Sequence, residues 1–138
     1  MNNKFFNNKK ILITGGTGSL GKAIIKYLKR FNCDIIIYSR DEGKQALAFG
    51  NDPSIKRVIG DVRDFEKLNT TLSIHKPDYV IHTGALKRVD DMEFHPDECV
   101  KTNIQGSENV ARASLLNNVK KCILVSTDKA CQPTNVYG

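Results

Sequence analysis

The chain has 138 residues, with 21 lysines and arginines against 15 aspartates and glutamates, a net charge of +6 that is scattered rather than gathered into one block. That length predicts one domain with a real core, short for an enzyme that also carries a separate substrate lobe. No stretch approaches the roughly 20 apolar residues of a membrane span, residues 1–8 lack the apolar core of a secretion signal, and no nucleic-acid motif is present; the expectation is a cytoplasmic protein binding neither membrane nor nucleic acid. A ligand with several phosphates is the simpler partner for the excess charge. Cys33, Cys99, Cys122 and Cys131 have no metal-like spacing and predict free, largely buried thiols.

Ile11, Leu12 and Ile13 form an apolar run cut off by Gly15 and Gly16, the pattern of a short buried strand. From Ala23 the period changes, and Ile24, Ile25, Leu28 and Phe31 recur at helical spacing between basic residues. Between the two elements Gly16, Gly18 and Gly21 match G-x-G-x-x-G in the strand-to-helix context of a dinucleotide loop. In that motif Gly16 permits the tight turn, Gly18 leaves room for a pyrophosphate over the helix N-terminus, and Gly21 lets the helix pack closely on the strand. Free N–H groups and the helix dipole then favour an anion there.

A second strand is predicted over 34–38, followed by Ser39, Arg40 and Asp41, with Lys44 one turn further on. At this point an acidic residue accepts from the ribose 2′-hydroxyl of NAD, whereas arginine accommodates the 2′-phosphate of NADP. Arg40 and Lys44 therefore favour NADP, with Asp41 one residue beyond. A short helix over 43–49 is broken by Asn51, Asp52 and Pro53, and a third strand follows over 55–60. Asp61 lies just past that strand, where it can meet the adenine, and Asp64 reads as the N-cap of a helix over 65–75.

Residues 79–82 form a fourth strand, and Thr83, Gly84, Ala85, Leu86 and Lys87 the loop that runs beneath a cofactor, its small residues allowing close backbone approach. Lys87 is a candidate for phosphate or substrate. His82 reads as a satisfied strand-end histidine, and His75, His82 and His95 do not converge on a metal. Pro96 opens a helix whose spacing holds through Cys99, Val100, Ile104, Val110, Ala113 and Leu116, and a fifth strand spans 121–125. These elements predict an α/β fold, a Rossmann-type doubly wound parallel sheet of order 3-2-1-4-5 with four helices and right-handed crossovers. The fifth strand leaves an apolar edge, which predicts a homo-oligomer.

Taken together, Thr14-Gly15-x-x-Gly18-x-x-Gly21, Gly60-Asp61-Val62-Arg63-Asp64, Ala85-Leu86-Lys87, Glu98-Cys99-Val100-Lys101-Thr102-Asn103, Ser126-Thr127-Asp128-Lys129-Ala130 and Asn135-Val136-Tyr137-Gly138 resemble the extended short-chain dehydrogenase/reductases, and within them the inverting UDP-N-acetylglucosamine 4,6-dehydratases of polysaccharide biosynthesis. The resemblance covers essentially the whole chain, with Thr83-Gly84 in place of the family's small alanines. It implies NADP held by Gly15, Thr17, Gly18, Ser19, Leu20 and Gly21, by Ser39, Arg40, Asp41 and Lys44, by Asp61 and Val62, by Thr83, Gly84, Ala85 and Lys87, and by Asn103. It implies no metal. Tyr137 takes the C4 hydroxyl proton with Thr127 assisting, Lys129 removes the C5 proton, and Asp128 helps the C6 hydroxyl depart. The lysine four residues past the tyrosine and the lobe that grips the UDP-sugar have no counterpart here. The expectation is thus the truncated cofactor-binding half of a lyase, inactive alone and meeting a UDP-sugar only if the rest is supplied; the alternatives are a non-catalytic dinucleotide module or an epimerase fragment.

Overall fold

The computed structural model describes residues 5–133. Strands β1 (Lys10–Thr14), β2 (Asp34–Ser39), β3 (Ile55–Ile59), β4 (Tyr79–His82) and β5 (Lys121–Leu124) form one parallel sheet of order β3-β2-β1-β4-β5. Helices α1 (Ser19–Leu28), α2 (Glu42–Phe49) and α3 (Phe65–His75) alternate with the first four strands. The predicted fold class and strand order are those observed.

β1 is apolar without alternation because both faces of a parallel sheet are covered. Leu12, with Ile36 and Val80, faces Leu68 and Leu72 of α3, while Ile11 and Ile13, with Ile35 and Ile37, face Ile25 and Leu28 of α1. Each fully buried isoleucine or leucine contributes about 1.5–3 kcal/mol. Asp41 caps α2 by accepting from the Lys44 N–H at 2.8 Å, and Asp64 caps α3 from the Lys67 N–H at 2.9 Å. The predicted cap at Asp64 is present; the one at Asp41 gives that residue a local structural task.

Between β4 and β5 the structure departs from the single helix expected over 96–116. A short helix α4 (Val89–Phe94) precedes it, unannounced because it buries only Met92 and leaves Phe94 82% exposed. The following run is α5 (Pro96–Cys99), a π-helical segment over Val100–Gln105 and α6 (Gly106–Leu116). Its buried face is Cys99, Thr102, Gly106, Val110 and Ala113, so Ile104 and Leu116 point outward. The wider π turn shifts the helical phase, and small residues take the inner positions: a Cβ on Gly106 would lie 2.7 Å from Val62 Cγ2.

β5 ends one residue earlier than expected and forms an edge of the described sheet, with Ile123, Leu124 and Val125 each roughly half exposed. All four cysteines are free, Cys99 buried, Cys33 and Cys122 half-buried and Cys131 exposed. Among the described residues no helix is long and apolar enough to cross a membrane.

Candidate functional site

The chain runs outward from β1 in one direction and returns to build β4 and β5 on the other side, so the loop after β1 sits where the topology reverses. In that loop Gly15, not Gly16, carries the left-handed conformation, with φ of +66°. A Cβ there would lie 2.7 Å from both N and Cα of Gly84, so the first loop packs backbone against backbone on the loop after β4. Gly16 instead faces Ile37 of β2, where a Cβ would come within 2.8 Å of Cγ2. Gly21 has the expected task, a Cβ there being 2.6 Å from Gly15 O and Gly16 Cα. Gly18 is the N-cap of α1; no side chain caps it and the first turn holds no acidic residue, which leaves the positive helix end available to an anion.

Two hollows flank this loop at the C-terminal ends of the strands. The smaller, of about 270 Å³, is bordered by Gly15, Thr17 and Gly18, by Ser39, Arg40, Asp41 and Lys44, and by Asp61 and Val62. The larger, of about 710 Å³, is bordered by Gly18, Ser19, Leu20 and Gly21, by Lys87 and Asn103, and by Thr127. Thr83, Gly84 and Ala85 border both and form the wall between them. Every residue expected to hold a cofactor thus lies on one hollow or the other.

The smaller hollow balances its charges. Lys44 pairs with Asp41 at 3.1 Å, and Arg40, half exposed, stands 3.8 Å from Asp61. Asp61 is chiefly committed to Arg63, accepting from its backbone N–H at 3.0 Å and its Nε at 2.9 Å, while Arg63 reaches Glu98 at 2.6 Å. Burial works to raise the Asp61 pKa, but the Arg63 hydrogen bonds and the Arg40 charge outweigh it and hold the carboxyl below its ordinary value. The Tyr38 hydroxyl donates to Asp61 O at 3.0 Å, and burial, with Asp64 and Asp61 nearby, pushes its pKa far above the ordinary one. Gln45, wholly buried, braces the end of β2 by donating to Ser39 O and Val58 O. Thr102 also borders this hollow, its buried hydroxyl without a partner among the described residues. Tyr38 and Gln45 lay in no motif, and Arg63 and Thr102 lay within the Gly60–Asp64 and Glu98–Asn103 stretches without being singled out.

Around the larger hollow, Thr127 lies on the wall, and Asp128 and Lys129 follow in a 3-10 turn. They pair with each other at 3.4 Å, and Asp128 also accepts from the Thr127 hydroxyl at 3.1 Å. The Thr127 hydrogen bond first, then the Lys129 charge, lower the Asp128 pKa. Tyr137 lies outside the described residues. His82 is almost fully buried between Thr14 and Ser107, and burial lowers its pKa to about 4, so it is neutral near pH 7. Among the described residues no group of three or more His, Cys, Asp or Glu side chains is placed to hold a metal ion.

A parallel sheet of this order, with a glycine loop opening onto an uncapped helix at its reversal point, defines a Rossmann-type nucleotide-binding fold. The family model for "polysaccharide biosynthesis protein" matches residues 11–138, and the chain belongs to that family. It is 53% identical over 138 residues to the UDP-N-acetylglucosamine 4,6-dehydratase (inverting) of Campylobacter jejuni, covering 96% of this chain and 40% of the relative. It is 45% identical over 144 residues to the UDP-glucose 4-epimerase of Rickettsia massiliae, with the same coverage of 96% and 40%. Among solved structures, the Bordetella bronchiseptica enzyme WbmG in complex with NAD and UDP superposes with a TM-score of 0.79 at 26% identity, over 96% of this chain and 46% of that one. The chain spans about 40% of the length of the curated relatives it matches.

Proposed function

We propose that this chain is the NADP-binding N-terminal part of an inverting UDP-N-acetylglucosamine 4,6-dehydratase of surface-glycan biosynthesis. The observation that carries the reading is the pair of hollows astride the Gly15–Gly18 turn, with Arg40 and Lys44 on the adenosine side and Thr127 on the other. The 53% identity to the Campylobacter jejuni dehydratase supports the substrate class. NADP, when bound, supplies a hydride acceptor and donor. The chain's own residues hold and orient it: the α1 N-terminus takes the pyrophosphate, Arg40 and Lys44 take the 2′-phosphate, and Thr83–Ala85 separate the two ends. Lys129 in its neutral form is the base for the C5 proton and Asp128 in its protonated form the acid for the C6 hydroxyl; the two stand 3.4 Å apart in the turn that follows Thr127. Residues 1–138, which match about 40% of the length of the dehydratase relatives, are expected to bind the cofactor on their own.

Calorimetric titration with NADP and, separately, NAD tests this. NADP is expected to bind and NAD to bind more weakly, with Arg40→Ala reducing NADP affinity about tenfold or more and leaving NAD unchanged, since a charge-assisted bond to phosphate is worth about 1.5–3 kcal/mol. Tighter binding of NAD would overturn the NADP assignment. It would favour the second reading, part of an NAD-dependent nucleotide-sugar epimerase, which the 45% identity to the Rickettsia massiliae epimerase and the carboxylates beside Arg40 support. Self-association through the apolar β5 edge is a further expectation, checked by light scattering, where a strictly monomeric profile at high concentration would refute it.

A further inference from the structure

The wall shared by the two hollows begins one residue after His82 and is held at both ends by the same helical run. At its far end the Leu86 N–H donates to Asn103 Oδ1 at 2.8 Å while Asn103 Nδ2 donates to Leu86 O at 2.9 Å, so one amide clasps both backbone groups of one residue. At its near end His82 Nε2 stands 3.1 Å from Ser107 Oγ, one turn further along that run. The Ser107 hydroxyl donates to Asn103 O at 2.6 Å, so its hydrogen is committed and its oxygen must accept. His82 therefore carries its proton on Nε2, which leaves Nδ1 bare to accept from the Thr14 hydroxyl at 2.5 Å. Thr83 completes the attachment by donating its hydroxyl to Thr14 O at 2.8 Å. Every donor in the series from Thr14 through His82 and Ser107 to Asn103 O points the same way, and no group is left over.

We propose that His82 and Ser107 act as positioning residues for cofactor binding, a buried latch that sets the 83–86 wall and through it the shape of both hollows at once. The proposal rests on the dinucleotide reading of the site. It follows from the sharing of Thr83, Gly84 and Ala85 between the hollows: a residue on one hollow, such as Arg40, acts on one end of the cofactor, whereas loosening the wall acts on both. Burial keeps the imidazole neutral, which is the state the latch requires.

The test compares wild type with Ser107→Ala, Ser107→Thr and Arg40→Ala, each checked for folding by thermal unfolding. Titration with 2′,5′-ADP reads the adenosine end, and NADPH fluorescence reads the nicotinamide end. Ser107→Ala, which leaves the His82 N–H without an acceptor, is expected to weaken both about tenfold. Ser107→Thr restores the hydroxyl and the affinity, and Arg40→Ala weakens the 2′,5′-ADP response most. Nitrogen-15 spectra of the wild type are expected to show His82 protonated on Nε2 alone. Unchanged affinities in folded Ser107→Ala, or a proton on Nδ1, would overturn the latch while leaving the cofactor reading intact; failure of the wild type to bind NADPH or 2′,5′-ADP at all would overturn the cofactor reading and the latch with it.

Discussion

Alanine at position 15 is expected to abolish dinucleotide binding and to lower the unfolding free energy by about 3 kcal/mol or more. Two costs combine. The left-handed backbone at φ of +66° costs an L-residue about 1–2 kcal/mol. The added methyl would also sit 2.7 Å from the Gly84 backbone and 2.9 Å from the Thr83 carbonyl carbon, and neither neighbour is a side chain that can swing aside. Relief must come from moving the wall between the hollows, which is why binding and stability fail together. Gly43→Ala is the internal control. Its methyl would meet only Asp41 Oδ1 at 3.4 Å, inside helix α2, so it should be neutral or stabilising by about 0.5–1 kcal/mol. Urea denaturation and calorimetric titration of both variants check this, and a Gly15→Ala protein with wild-type affinity would refute the backbone-contact account.

The second large effect is acid destabilisation through His82. Its pKa in the folded protein is about 4, lowered from 6.5 by burial. Because the folded-state value is depressed, the unfolded chain takes up a proton first as pH falls. The stability this residue allows is therefore complete above about pH 6.5 and is lost progressively between 6.5 and 4, in total about 3 kcal/mol at 1.36 kcal/mol per pH unit. Below pH 4 it adds no further loss. Carboxylates such as Asp52, held at about 2 by the Lys29 and Ser54 hydrogen bonds, also destabilise on acidification, so the informative quantity is a difference. Unfolding free energies of wild type and His82→Gln at pH 7, 5.5 and 4.5 are expected to converge, the variant showing the flatter slope. Parallel slopes would mean that His82 is already charged in the folded state.

Much of this molecule is legible from residue order. The strands over 34–38 and 79–82, the helix over 65–75 and the cap at Asp64 agree with the structure to within a residue, because each rests on a period or a cap that acts over one or two turns. The candidate cofactor residues could be gathered the same way, since a strand-turn-helix loop and the ends of successive parallel strands fall together once the sheet order is known. Helix α4 was not legible, having one buried residue and no apolar stripe to betray it. Nor was the phase of the long helical run, where Val100 and Ile104 look like the inner face and Thr102 and Gly106 occupy it.

The amino-acid sequence by itself determined the sheet, its order and the glycine turn at its reversal point, since apolar periodicity, capping and glycine spacing are short-range properties. Only the tertiary structure decided which glycine bends the turn, which cations the carboxylates meet and which histidine nitrogen holds the proton. Gly15 owes its conformation to Gly84, 69 residues away along the chain; Asp61 meets Arg40 from the end of another strand; His82 owes its tautomer to Thr14 and Ser107 on either side. Those are contacts between groups that the fold alone brings together, and a buried polar atom takes its state from whatever partner stands within hydrogen-bond reach.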